Sequence, residues 1–264
     1  MADLVYQGYL GTIPFNDSSY YVGNTNVSLQ IADFPYPIST ASLVFWLDGK
    51  TFVTGNNWIP TFGNATGSMT GATPVKASTS NGGVVNFTTS SAMVITSPNS
   101  LNFTASAYTV FVATRYSGSS SDRHGRLLDA RYNNWLFPTY GGGTVAAGLI
   151  EYSSAWYNTT DFIIVSGSIY DTEWRISTGV RDTTNLSASF FLNGNFVLSA
   201  SNDATTRGFD GLSINDGFYT DGTVNPGGDE VTQADVGDII LYNRVLSNAE
   251  IQQVTNVLKS RYGI

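Results

Sequence analysis

The stretch GDIILYNRVLSNAEIQQVTNVLKSRYGI, residues 237–264, decides how the chain is read. It opens as a strand, Asp238 to Tyr242, with Ile239 and Leu241 on one face and Ile240 and Tyr242 on the other. Apolar side chains on both faces belong to a strand covered on both sides. The chain then turns through Asn243-Arg244 into a short helix expected from about Asn248 to Arg261. Ser247 is its N-cap and Glu250, three residues on, completes a capping box, while Leu246 and Ile251 form the matching hydrophobic staple. Ile251, Val254 and Leu258 recur at i, i+3 and i+7, so one stripe docks on the rest of the protein. Lys259 and Arg261 complement the negative end of the helix dipole, and Gly263 closes it.

Upstream of this stretch the pattern is that of short strands and turns. Ser42 to Gly49 (SLVFWLDG), Val84 to Phe87, Ala92 to Ile95 and Tyr108 to Tyr116 read as strands, the last of them central. Arg126 to Ala130 and Trp135 to Phe137 flank an Asn133-Asn134 turn. Phe162 to Tyr170 and Glu173 to Val180 read as a hairpin through Asp171-Thr172. Ser187 to Leu192 and Phe196 to Ser201 are joined by Asn193-Gly194, the strongest short hairpin signal. Such strands with one late helix predict an all-β, antiparallel two-sheet sandwich with a short C-terminal helix.

Residues 41–264 are therefore expected to form one sandwich domain, and residues 1–40 an N-terminal arm. The arm is rich in tyrosine (Tyr6, Tyr9, Tyr20, Tyr21, Tyr36), with Pro14, Pro35 and Pro37 and no core-facing stripe. Val27 to Ile31 is its one strand-like run. Two readings stay open: an assembly contact on a neighbouring subunit, or an ordinary first strand of the sandwich.

From Ser42 to about Tyr262 the chain resembles the concanavalin A-like, laminin-G-like β-sandwich (jelly-roll) family. The resemblance rests on the opening FWLDG, the middle LLDARYNNWLF, the ASFFLNG hairpin and the closing LYNRVLSNAEIQQV…L…RY. It implies an architecture that carries many functions, so the activity has to be argued from sites.

Composition removes several function classes. The absence of cysteine excludes disulfides, thiolate metal sites and cysteine nucleophiles. A net charge of −8 argues against a nucleic-acid partner, which needs a basic face. No apolar run approaches the ~20 residues of a membrane span. Asn-x-Ser/Thr triplets such as those at Asn16 and Asn185 arise by chance in a chain so rich in Asn, Ser and Thr.

Catalysis finds no motif. Glycoside hydrolases need two carboxylates flanking the scissile bond. Hydrolases of the resembled family place them as Glu-x-Asp-x-Glu or Glu-x-Asp-x-x-Glu on one strand. None of Glu151, Glu173, Glu230 and Glu250 belongs to such a run; the nearest approach, Asp171-Thr172-Glu173, falls at an expected turn. His124, the only histidine, sits in a polar loop without a Gly-x-Ser-x-Gly turn elsewhere. Gly141 to Ala146 matches Gly-x-Gly-x-x-Ala by letter but lacks the strand and helix of a dinucleotide site.

Binding is the better-supported class. Sugar recognition needs aromatic faces rimmed by amides and charged groups. Asn133, Trp135, Tyr140, Trp156 and Tyr157 lie on expected loops or loop edges and form the candidate ligand set. Trp46 and Trp174, on strands, are assigned to the core. Residues 215–237 hold Asp216, Asp221 and Asp229 among glycines, a candidate Ca²⁺ site built from hard oxygen ligands.

The expectation is a non-enzymatic virion structural protein (a capsid decoration, fibre or tail component), made in the host cytoplasm. The reasoning is that Met1 is followed by no secretory signal while an aromatic arm is present. Its expected partners are other virion subunits, met through the arm, in a homo-oligomer, with surface glycans as a further ligand. The alternative is a cell-surface or secreted carbohydrate-binding module.

Overall fold

A computed structural model describes residues 19–22, 25–28, 38–78, 82–96, 107–118, 125–131, 135–140, 148–152, 162–165, 172–185, 187–201, 211–217 and 230–264. The chain divides into two compact units, residues 1–40 and 41–264. In the first, β1 (Ser19–Val22) and β2 (Thr25–Ser28) form an antiparallel two-stranded sheet of their own.

The second unit is an antiparallel sandwich. In chain order its strands are β3 (Leu43–Asp48), β4 (Thr66–Gly71), β5 (Val75–Ser78), β6 (Gly83–Phe87), β7 (Ser91–Thr96) and β8 (Tyr108–Tyr116). Then come β9 (Leu128–Ala130), β10 (Leu136–Phe137), β11 (Thr139–Tyr140), β12 (Gly148–Tyr152), β13 (Phe162–Val165) and β14 (Arg175–Asp182). The last are β15 (Ser187–Leu192), β16 (Asn195–Ser201), β17 (Leu212–Ile214) and β18 (Ala234–Tyr242), followed by helix α1 (Asn248–Tyr262). One sheet runs β16-β15-β14-β8-β18-β6-β5 with β3 also on β18; the other runs β11-β12-β10-β9-β17-β7-β4 with β13 on β12.

Strand β18 is the hub of the first sheet, and every one of its residues is buried. It pairs with β8 along its length, with β6 through its first residues and with β3 through its last. β6 and β3 thus share one edge of β18, meeting where its register shifts between Val236 and Ile239. That junction explains the glycine of FWLDG. A Cβ on Gly49 would stand 2.2 Å from the Gly83 carbonyl oxygen and 2.5 Å from that of Gly237. Backbones this close admit no side chain.

Alternation along each strand sorts the rest. Phe45, Leu47, Val85, Phe87, Val110, Val112, Ile239 and Leu241 point between the sheets and meet Met93, Ile95, Leu128, Leu212 and Ile214 from the other side. Phe111, Ile240 and Tyr242 point away from that core and are nevertheless buried. Helix α1 lies over this outer face and buries Ile251, Val254, Leu258 and Tyr262. Its N-terminus has the expected capping box, with Ser247 Oγ accepting from the Glu250 N–H and the Glu250 carboxylate accepting from the Ser247 N–H. Gly263 closes it in the left-handed region at φ 72°.

The Asn193-Gly194 hairpin forms as expected, with φ of 52° and 82° that only such residues adopt readily. The expected hairpin through Asp171-Thr172 does not form. β13 pairs with β12 in one sheet, whereas β14 lies between β8 and β15 in the other. Two adjacent apolar runs look the same whether the chain turns back or crosses between sheets. The strand-like run at Val27 begins and ends earlier, as β2, and Ile31 lies outside the described residues.

Candidate functional site

Three polar clusters of the sandwich, among the described residues, bear on function. The first is a buried clasp under the end of α1. Asp48 on β3 and Asp238 on β18 are cross-strand partners, and Arg261 Nη1 reaches both, at 2.9 Å and 3.0 Å. Trp46 Nε1 and Tyr262 Oη donate to Asp238, Tyr262 also donates to the Gly83 carbonyl, and the Arg261 guanidinium lies 4.8 Å from the Trp46 ring centre. Burial pushes the Asp238 carboxyl up to about 6, with Arg261 opposing the rise and Asp48 adding to it. The clasp uses Trp46 and Asp48 of FWLDG, Asp238 of β18 and the Arg261-Tyr262 pair at the end of α1. Its buried groups satisfy one another, so it fastens the helix.

A second cluster surrounds Arg126, which is buried with Asp129. Arg126 Nε donates to the Glu230 carboxylate and lies 3.7 Å from Asp129 Oδ1, while the Asp216 N–H donates to Asp129 Oδ2 at 3.3 Å. Burial holds the Asp129 carboxyl well above its ordinary value, against the pull of Arg126. A guanidinium fills the space between the Asp129 and Glu230 carboxylates, where a glycosidase needs its scissile bond.

The third place borders solvent: Ser117 is exposed, Arg115, Asn86 and Trp174 are partly buried, and Asp235 is buried among them. Residues facing outward on β8, β18 and β6 line up across the sheet: Arg115 opposite Asp235, and Asp235 opposite Asn86. Arg115 Nε donates to Asp235 Oδ2 at 2.8 Å; Asn86 Nδ2 donates to Asp235 Oδ1 at 2.7 Å and to Ser117 Oγ at 3.2 Å. Trp174, just before β14, extends the row on the other side. The Arg115 guanidinium lies over its ring, 5.2 Å from the centre, and Tyr262 of α1 stacks on it at 4.4 Å. At 4.7–4.9 Å between strands, the row from Trp174 to Asn86 spans about 15 Å. It holds an indole, a guanidinium, a carboxylate, an amide and a hydroxyl, each held by a neighbour. Such groups engage sugar hydroxyls and C–H faces.

Of the sequence-derived candidates, Trp135, Tyr140 and Asp216 are among the described residues. Trp135 leaves the ligand set. It has 0% exposure, its indole N–H donates to Tyr108 Oη at 2.8 Å, and its ring stacks with Phe137 inside the core. Trp174, assigned to the core, is only partly buried and sits in the surface row. Tyr140 lies on β11, opposite Gly148 of β12. Asn133, Trp156, Tyr157, Asp221 and Asp229 lie outside the described residues, as does His124. Asp216 is buried beside Asp129, and among the described residues no group of three acidic or histidine side chains could hold a metal ion. Reasoning from the sequence missed Arg115, Asp235 and Asn86. The period-two alternation of YTVFVATRY does put Arg115 on the face opposite Val112, but its ion-pair partner Asp235 lies 120 residues away.

No family model and no curated protein sequence matches this chain. Solved structures share its fold. Domain 4 of AbnA, a GH43 extracellular arabinanase from Geobacillus stearothermophilus in complex with arabinotriose, is 13% identical, with a TM-score of 0.55 over 81% of this chain and 98% of that one. The binding domain of botulinum neurotoxin DC in complex with SialylT is 11% identical, with a TM-score of 0.55 over 83% of this chain and 51% of that one. Trypanosoma rangeli sialidase is 14% identical, with a TM-score of 0.52 over 98% of this chain; the match covers 38% of the sialidase chain. At these identities the likeness is one of fold.

Proposed function

We propose that this protein is a non-catalytic glycan-recognition module whose contact surface includes the row Trp174, Arg115, Asp235 and Asn86 with Ser117. The observation that carries the reading is that the row reaches solvent through Arg115, Asn86, Trp174 and Ser117 and is preorganised over the buried Asp235. Each polar head is already held by its neighbour, so binding orders few side chains. Two of the solved structures of the same fold contain an oligosaccharide or a sialylated glycan, which supports the reading. Asn133, Tyr140, Trp156 and Tyr157 stay in the proposed ligand set in addition to the row. A glycan array followed by titration calorimetry tests the proposal. Wild type binds at least one oligosaccharide, and the Asn86→Ala variant, still folded by thermal melting, binds it several-fold more weakly. Binding that is indifferent to every substitution in the row refutes this placement. Sugar release from a bound polysaccharide refutes the non-catalytic part.

Assembly into a virion or another oligomer through residues 1–40 is a second reading. It is favoured by one observation: among the described residues β1 and β2 pair with each other in a two-stranded antiparallel sheet. The two readings are compatible, since a particle component can carry a glycan-binding face.

A further inference from the structure

Within the surface row Arg115 is the exposed member of its ion pair. Its side chain is 38% accessible against 8% for Asp235. Only Nε is used by Asp235. Asp235 itself is fully engaged, with Oδ1 taken by Asn86, Oδ2 by Arg115 and its carbonyl by Thr114 Oγ1. Trp174 lies beneath the guanidinium and is itself held by Tyr262, whose hydroxyl is anchored in the clasp. The plane of the guanidinium is thereby set by a ring and one hydrogen bond. The two terminal nitrogens have no partner among the described residues.

A guanidinium held by Nε presents Nη1 and Nη2 as a two-pronged donor, the geometry that grips both oxygens of a carboxylate. We propose that Arg115 makes this face selective for sugars that carry a carboxylate, such as a uronic or sialic acid, over their neutral counterparts. This rests on the glycan-recognition reading above. Neutral sugars would leave the fork with hydroxyl partners only, and hydrogen bonds to an ionised acceptor are about twice as strong as neutral ones. Charge limits the class further. Asp235 sits behind Arg115, Glu173 is exposed one residue before Trp174, and the whole chain carries −8. The surroundings therefore favour a ligand with a single negative charge over a polysulfate or a phosphate cluster. The Ser117 hydroxyl and the Asn86 amide, on the far side of Asp235, are placed for hydroxyls of the same sugar chain.

The test is calorimetry with matched pairs: 3′-sialyllactose against lactose, and galacturonic acid against its methyl ester. The acidic member of at least one pair binds the wild type about ten- to a hundredfold more tightly, the worth of one charge-assisted pair. Which pair shows the preference identifies the sialic or the uronic source. Arg115→Gln abolishes the preference, and Arg115→Lys, which keeps the charge but loses the fork, retains only a small part of it. Both variants are checked by thermal melting, and the lysine variant serves if the glutamine one fails to fold. Equal affinity for acidic and neutral members, or a preference that survives Arg115→Gln, overturns this inference and leaves glycan recognition standing. No binding to any glycan on the array overturns the reading beneath it as well.

Discussion

Replacing Arg261 with Met removes the one cation between two buried carboxylates while keeping most of the side-chain volume. Asp238 is fully buried and Asp48 nearly so, with side-chain exposures of 0% and 7%. Breaking a buried ion pair by deleting one partner costs ~3–5 kcal/mol. Arg261 keeps 17% of its side chain exposed, which puts the expected loss near the lower end, about 3 kcal/mol at pH 7. The pH dependence gives a second handle. Burial raises the Asp238 carboxyl from 3.8 to about 6, so the native state binds a proton more tightly than the unfolded chain. The stability from that proton is fully present below 3.8 and is lost as pH rises through about 6. The wild type is thus expected to be more stable at pH 5 than at pH 7, by on the order of 1 kcal/mol. Glu250 acts in the opposite sense: Arg244 and Ser247 lower it from 4.5 to about 2, and its contribution fades only below pH 4.5. In Arg261→Met the carboxyl rises further, so the deficit shrinks as pH falls. Urea unfolding at pH 7, 6 and 5 measures all of this. A loss below about 1 kcal/mol at pH 7 with no recovery at pH 5 would falsify the account of the clasp.

Three further outcomes follow from the packing. Leu258→Ala, at a fully buried position under the helix, should lower stability by ~2–5 kcal/mol in denaturant unfolding; a neutral result would mean the helix is not docked by this stripe. Gly237→Ala would place a Cβ 2.2 Å from the Tyr262 ring, which its hydrogen bonds hold in place, and should cost ~1–3 kcal/mol and lower the melting temperature. Deleting residues 1–40 should leave the melting of the sandwich nearly unchanged and reduce the oligomer size seen by light scattering; loss of folding would make those residues a part of the sandwich.

Much of the architecture was legible because its signals are local. The capping box spans Ser247 to Glu250, the staple spans Leu246 to Ile251, and the Asn193-Gly194 turn is two residues long. Each is set by backbone geometry within one turn, which no distant contact has to complete. The same holds for β18, where apolar residues on both faces announced a strand covered on both sides, by the other sheet and by α1. Side-chain placement at strand ends was a different matter. Trp135 looked like a loop aromatic and is in the core; Trp174 looked like a strand aromatic and is at the surface. A single residue of register decides which face a side chain takes, and register is set by pairing with strands far away in sequence. Arg115, Asp235 and Asn86 come together from three strands, joined by bonds that span 120 and 149 positions. The sequence by itself determined that a sandwich forms and that a capped helix closes it. Only the tertiary structure decided which polar residues share its open face, because that depends on the order in which the strands lie side by side.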